Sequence, residues 1–174
     1  NLVEHKRIVG VDVNPFACAF SRLGYIGFLI PYLLRAKVEQ GHLPLISHIP
    51  IIQADALVGV KEKVEDGSYS YVVGNPPYVR IQRLSVNGSK QSYLESFDSA
   101  VGRFDLYSLF IERGLRLLKP NGKLGYITSN KFMTTNAGKG IRKVISERAT
   151  IKHLFDLSDT KVFTAAVLPC IIIL

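Results

Sequence analysis

Tyr71-Val72-Val73-Gly74-Asn75-Pro76-Pro77-Tyr78, YVVGNPPY, is the stretch on which the reading of this chain turns. A short apolar run of the length of a buried strand, Tyr71 to Gly74, stops abruptly at Asn-Pro-Pro-Tyr. Two consecutive prolines fix two φ angles and remove two amide donors, so neither a helix nor a strand ladder can continue through them. The pattern predicts a stiff corner at the carboxyl end of a strand, where open α/β sheets place their ligands. Asn75 offers a side-chain carbonyl, Pro76 a backbone carbonyl and Tyr78 a flat aromatic face. Two fixed acceptors beside a stacking surface suit a planar group that carries an NH2; a bare proline turn is the plainer alternative.

Upstream, Arg7 to Asp12 (RIVGVD) is a short β-branched run closed by an acid, followed by Asn14, Pro15 and a helical stretch from Phe16 to Tyr25. Asn14 is a helix-capping residue and Pro15 suits the first helical position. Asp12 therefore falls at a strand's carboxyl end, where an acid can accept hydrogen bonds from ribose hydroxyls or simply cap the helix. Ile30 to Pro50, punctuated by Pro31, Gly41, Pro44 and Pro50, reads as the end of a helix and a loop. Ile49 to Gln53 is a second short strand, and Asp55 after it could bind a ligand amine or cap a turn. A polar segment, Lys61 to Ser70, leads to the central strand.

Downstream, Val79 to Gly102 is long for a loop in a compact domain, and its Arg80, Arg83, Asn87, Gly88, Ser89 and Lys90 suit either phosphate contact or a solvated linker. Phe104 to Leu118 has helical apolar spacing and ends at Pro120-Asn121-Gly122. Lys123 to Thr128 reads as a strand, Ser129 to Gly140 as a polar loop and Ile141 to Arg148 as a short basic helix. Ile151 to Leu157 and Val167 to Leu174 read as two more strands. Alternating strands and helices over residues 1–174 predict one α/β domain.

The 174 residues are 47% hydrophobic and 21% charged, which fits a globular domain and excludes a disordered tail. The longest apolar run, near Tyr25 to Leu34, is interrupted by Gly27 and Pro31, and the amino terminus has no signal-peptide core. A cytoplasmic protein with no membrane partner is expected. Cys18 and Cys170 lie far apart in apolar surroundings, as reduced core thiols do. His5, His42, His48 and His153 lack ligand spacing, so no metal is expected. The net charge of +8 is uneven: residues 1–79 hold seven basic and seven acidic side chains, residues 80–174 fifteen and seven. That excess favours a polyanion on the side of the chain that follows the central strand.

Asn-Pro-Pro-Tyr after a hydrophobic strand resembles the catalytic motif of the amino-adenine DNA methyltransferases that use S-adenosyl-L-methionine, as found in type II restriction-modification enzymes. GVDVNPFA around Asp12 and Val13 resembles their second motif, whose acid binds the cofactor ribose. IIQADAL around Asp55 and Ala56 resembles the third, whose acid holds the cofactor's adenine amine. DLYSLFIERGLRLLKPNGKLGYIT resembles the helix and strand that follow. Phe110 matches the aromatic that packs on the cofactor's adenine, although core packing is an equal reading.

DTKVFTAAVLPCIIIL resembles the eighth motif, in which Phe163 would pack on the flipped adenine opposite Tyr78; a hairpin core residue is the alternative. The resemblance implies a Rossmann-like methyltransferase sheet with helices on both faces, divided into cofactor motifs at 7–57, a catalytic strand and loop at 70–104 and a target-base side at 105–174. Asn75 would contribute to both catalysis and cofactor binding, beside Pro76, Pro77 and Tyr78. It also implies double-stranded DNA as substrate. Only nineteen residues, 56 to 74, separate Asp55 from Asn75, which matches the subclass whose target recognition domain follows the catalytic region. The family's Gly-rich first motif is not found before Asp12. The first strand is thus expected to be missing, leaving the strands that end at Asp12 and Asn75 without a neighbour. A protein-glutamine or ribosomal-RNA methyltransferase, or a non-catalytic module of a defence complex, are the competing readings.

Overall fold

The computed structural model describes residues 8–44, 46, 48–60, 64–83, 89–158 and 168–174, without the side chains of 83, 89 and 90. Contacts divide the chain into two compact units, Asn1–Val60 and Lys61–Leu174. Their strands form separate sheets.

The first unit is a strand, helix, strand unit. β1 (Gly10–Asp12) pairs in parallel with β2 (Ile51–Gln53), Asp12 lying opposite Gln53. α1 (Pro15–Gln40) connects them. Its start is as the sequence predicts: the Asn14 side chain accepts from the amides of Phe16 at 2.8 Å and Ala17 at 3.3 Å, with Pro15 at the first position. Its end is not. The helix runs through Gly27 and Pro31 to Gln40, where Gly41 adopts φ 77 and donates to the Lys37 carbonyl. A left-handed glycine closes a helix without a Cβ penalty, so Gly41 rather than Pro31 sets the boundary.

The continuous α1 also corrects the expectation that the apolar run is too short for a membrane: by length and apolarity alone it could cross one. Its polar anchoring to β2 gives it a place in a folded α/β unit instead. The Arg22 guanidinium donates to the Ile51 carbonyl at 2.8 Å, and buried Cys18 lies over the Asp12 and Ile52 carbonyls.

The second unit holds a four-stranded sheet in the order β3-β4-β6-β5, formed by β3 (Tyr69–Gly74), β4 (Leu118–Ser129), β5 (His153–Asp156) and β6 (Pro169–Ile173). β3 and β4 are parallel, whereas β6 runs antiparallel to both β4 and β5. α3 (Leu106–Leu117) and α4 (Lys139–Arg148) share one core with the sheet, built from Tyr107, Ile111, Leu124, Tyr126, Val144 and Ile172. On the opposite face Tyr71 and Val73 remain 69% and 79% exposed. β4 begins directly after α3, five residues before the expected strand, because the Pro120-Asn121-Gly122 segment forms an irregularity inside it with Asn121 at φ 63.

The segment after the prolines is not an open linker. A 3-10 turn (Ile81–Arg83) and α2 (Ser89–Ser96) occupy part of it, and Ile81, Tyr93 and Phe97 are buried. Its far end is tied down by Glu112, a fully buried acid of α3. The Glu112 carboxylate accepts from the amides of Asp98 at 3.2 Å and Ser99 at 2.8 Å and pairs with Arg116 at 2.5 Å. Buried thiols at Cys18 and Cys170 are both free, as expected.

Among the described residues β1 pairs only with β2 and β3 only with β4. Among the described residues, the strands ending at Asp12 and Asn75 thus each stand at the edge of their own sheet.

Candidate active site

Parallel pairing places the functional residues of each unit at a carboxyl rim. In the first unit the Asp12 carboxylate accepts the Asn14 amide at 2.7 Å, and its backbone carbonyl accepts the Ala54 amide at 3.0 Å. The Asp12 carboxylate thus orders the turn that precedes α1, whose cap is Asn14. Asp55 likewise accepts the Leu57 amide at 2.9 Å and orders the turn after β2. Val13 is exposed and Ala56 half-buried beside these acids. Two carboxylates at the ends of adjacent parallel strands form an acceptor set that fits ribose hydroxyls and an adenine amine.

In the second unit β3 carries Asn75 just past its carboxyl end. Gly74 is needed there because a Cβ would stand 3.2 Å from the ring of Tyr126, its partner across the sheet. Asn75 is exposed, and its side chain has no hydrogen-bond partner among the described residues. Pro76 is buried and Pro77 exposed, so the corner is anchored on one proline and open at the other. No cis peptide bond occurs among the described residues.

Tyr78 is half-buried. Its ring meets Tyr107 of α3 edge to face, with centroids 6.5 Å apart and planes at 87°. Burial first, then the Cys170 thiol, pushes the Tyr78 hydroxyl up. Burial first, then the Asp105 carboxylate, raises that of Tyr107. Both phenols are therefore neutral at physiological pH and act as ring surfaces rather than bases.

Phe110 is half-buried against the core of the second unit, so its core-packing reading holds and leaves part of the ring exposed. Phe163 lies outside the described residues. Tyr107, which fixes Tyr78, and Glu112, which fixes the far end of the post-proline segment, were missed in the sequence. A signal for Glu112 was present: it lies three residues after Leu109 and three before Leu115, on the apolar stripe of the helix, where an acid needs partners.

Parallel strands joined by helices in each unit, with an antiparallel β6 between β4 and β5 in the second, are consistent with the Rossmann-like fold of the S-adenosylmethionine-dependent methyltransferases. The chain superimposes on a structure described as a class I methyltransferase of this type from Listeria monocytogenes with a TM-score of 0.64 at 18% identity, covering 95% of this chain and 43% of that one. It superimposes on the type IIL restriction-modification enzyme MmeI, solved in complex with DNA, with a TM-score of 0.58 at 20% identity, covering 81% and 20%.

Over residues 6–163 the sequence matches the Eco57I restriction-modification methylases, and the chain belongs to that family. It is 38% identical over 113 residues to the type II methyltransferase M.BstVI of Geobacillus stearothermophilus, covering 65% of this chain and 20% of that protein. It is 32% identical over 140 residues to the type II methyltransferase M.XhoI of Xanthomonas vasicola, covering 80% and 25%. The chain thus spans a fifth to a quarter of the length of these two relatives.

Proposed function

We propose that the full-length protein is a DNA N6-adenine methyltransferase of a restriction-modification system, acting in the cytoplasm on an adenine flipped out of double-stranded DNA. The observation that carries this reading is the exposed Asn75 on a buried Pro76 at the carboxyl end of β3. Membership of a restriction-modification methylase family supports DNA as the substrate.

S-adenosyl-L-methionine, when bound, supplies an activated methyl group. In the first unit Asp12, with Val13 beside it, accepts from ribose hydroxyls, and Asp55, with Ala56, accepts from the adenine amine of that cofactor.

The target amine is a weak nucleophile because its lone pair is delocalised into the base. Asn75 Oδ1 and the Pro76 carbonyl accept its two N–H hydrogens, which favours a pyramidal nitrogen and stabilises the positive charge that grows there. One such acceptor is worth about 3 kcal/mol in the transition state. Tyr78, held by Tyr107, stacks on the extruded base and returns about 1–3 kcal/mol of a flipping cost of a few kcal/mol. Phe163 would take the opposite face.

In the full-length protein, Asn75→Ala is expected to lower methyl transfer to DNA by about 10²-fold or more with DNA affinity nearly unchanged. Wild-type activity in that variant would end the role assigned to Asn75.

A further inference from the structure

Beside the proline corner, the second unit contains a cavity of about 440 Å³ whose lining includes Arg80, Gln82, Arg103, Asp105, Lys131 and Thr135. One wall is the return of the chain from the corner to α3: Arg80 and Asp105 form an antiparallel bridge, and the Leu106 amide donates to the Val79 carbonyl at 2.8 Å. The floor is buried Phe104. The other wall is the Asn130–Gly138 loop after β4. Arg142 holds that loop from α4, donating to the carbonyls of Phe132 at 2.5 Å and Thr135 at 2.9 Å, and the Thr135 hydroxyl donates to the Lys131 carbonyl at 2.8 Å. The cavity therefore lies at the carboxyl ends of two adjacent parallel strands, between two pinned walls.

Its charge is one-sided. Arg80, Arg103 and Lys131 face one acid, Asp105, and none of the three cations makes an ion pair with a described residue. A base pocket is lined by neutral donors and rings, whereas an excess of mobile cations selects an anion. The anionic group of a nucleic acid is its phosphate. Arg80 follows Tyr78 by two residues, so its Cα lies within about 7 Å of that of the stacking tyrosine. At roughly 3.4 Å of rise per phosphate on one strand, a backbone that presents a base at Tyr78 necessarily passes phosphates within reach of this wall.

We infer that this cavity is a phosphodiester clamp, holding a backbone phosphate next to the target nucleotide through Arg80, Arg103 and Lys131, with Gln82 as a neutral donor. The inference rests on the DNA-methylating function proposed above and names the part of the site that grips the strand rather than the base. Phosphate contacts position a strand without reading its sequence.

The test is the full-length protein carrying Arg103→Gln and Lys131→Gln, titrated with duplexes that contain or lack the methylated site, by fluorescence anisotropy at several salt concentrations. Affinity is expected to fall equally for both duplexes, and the slope of log K against log salt to fall by about one for each phosphate released. The pair Arg103→Lys and Lys131→Arg, which keeps both charges, should restore the slope. An unchanged slope, a loss confined to the site-containing duplex, or no recovery with charge retained would each overturn the clamp. Absence of methyl transfer to DNA by the wild-type protein would remove the underlying function and the clamp with it. A methylating wild type whose variants keep its salt slope would remove the clamp alone.

Discussion

Replacing Glu112 is the sharpest test of how the post-proline segment is held. The carboxylate is fully buried and receives the amides of Asp98 and Ser99, Arg116 at 2.5 Å and Arg148 at 3.5 Å. Removing it leaves the buried amide of Ser99 and the partly buried amide of Asp98 without an acceptor, at about 1–3 kcal/mol each. The two guanidiniums are 31% and 40% exposed, so they turn to water and add little to the loss. Glu112→Ala should therefore destabilise by about 2–6 kcal/mol, the sum for the two amides. Glu112→Gln keeps one carbonyl acceptor and should cost about half as much. At about 2–4 °C per kcal/mol for a chain of this size, the alanine variant should melt roughly 10 °C lower, read by circular dichroism. A shift under about 2 °C for alanine, or a larger one for glutamine, would refute the reasoning that the carboxylate anchors this segment.

Alkaline titration should loosen the second unit in a defined window. Burial pushes the Tyr126 hydroxyl up from 10.0 to about 12, and burial, then the Asp156 carboxylate, pushes the Cys170 thiol up from 9.0 to about 11. Both groups hold their proton more tightly when folded, so their contribution is complete below the unfolded values and disappears as pH rises through the folded ones. Denaturant midpoints should fall from pH 9 to 12, and Tyr126→Phe should flatten the upper part of that fall; a profile unchanged by this substitution would contradict it. Gly138→Ala is expected to destabilise by about 3 kcal/mol, since a Cβ there would lie 2.1 Å from the Phe132 carbonyl oxygen. Urea unfolding reads this, and a neutral result would show that the loop after β4 is not packed as described.

The proline corner was legible because its chemistry is local: two prolines end a strand whatever surrounds them. Asn14 and Pro15 were legible for the same reason, as a cap and a first helical residue. The end of α1 was legible only to within Ile30 to Pro50, because Pro31 reads as a breaker while the competing signal, Gly41 with Lys37 in the last turn, lies ten residues further on. The order of the segment between Val79 and Gly102 was hidden too. Ile81, Tyr93 and Phe97 are buried against partners distant in sequence, and no periodicity within the segment reports that. Asp12 and Asp55 read as ligand acids or caps; Asp12 orders the turn before the cap at Asn14, and Asp55 orders the turn after β2. The cations of the cavity come from three separate segments, so only the fold could gather Arg80, Arg103 and Lys131.

The most direct measurement of the central claim is nucleoside mass spectrometry of DNA treated with the full-length protein and S-adenosyl-L-methionine. An amine held by Asn75 and Pro76 predicts N6-methyladenine as the product in wild-type reactions. Methyl groups on a ring carbon of cytosine, or on protein or RNA and not on DNA, would contradict it.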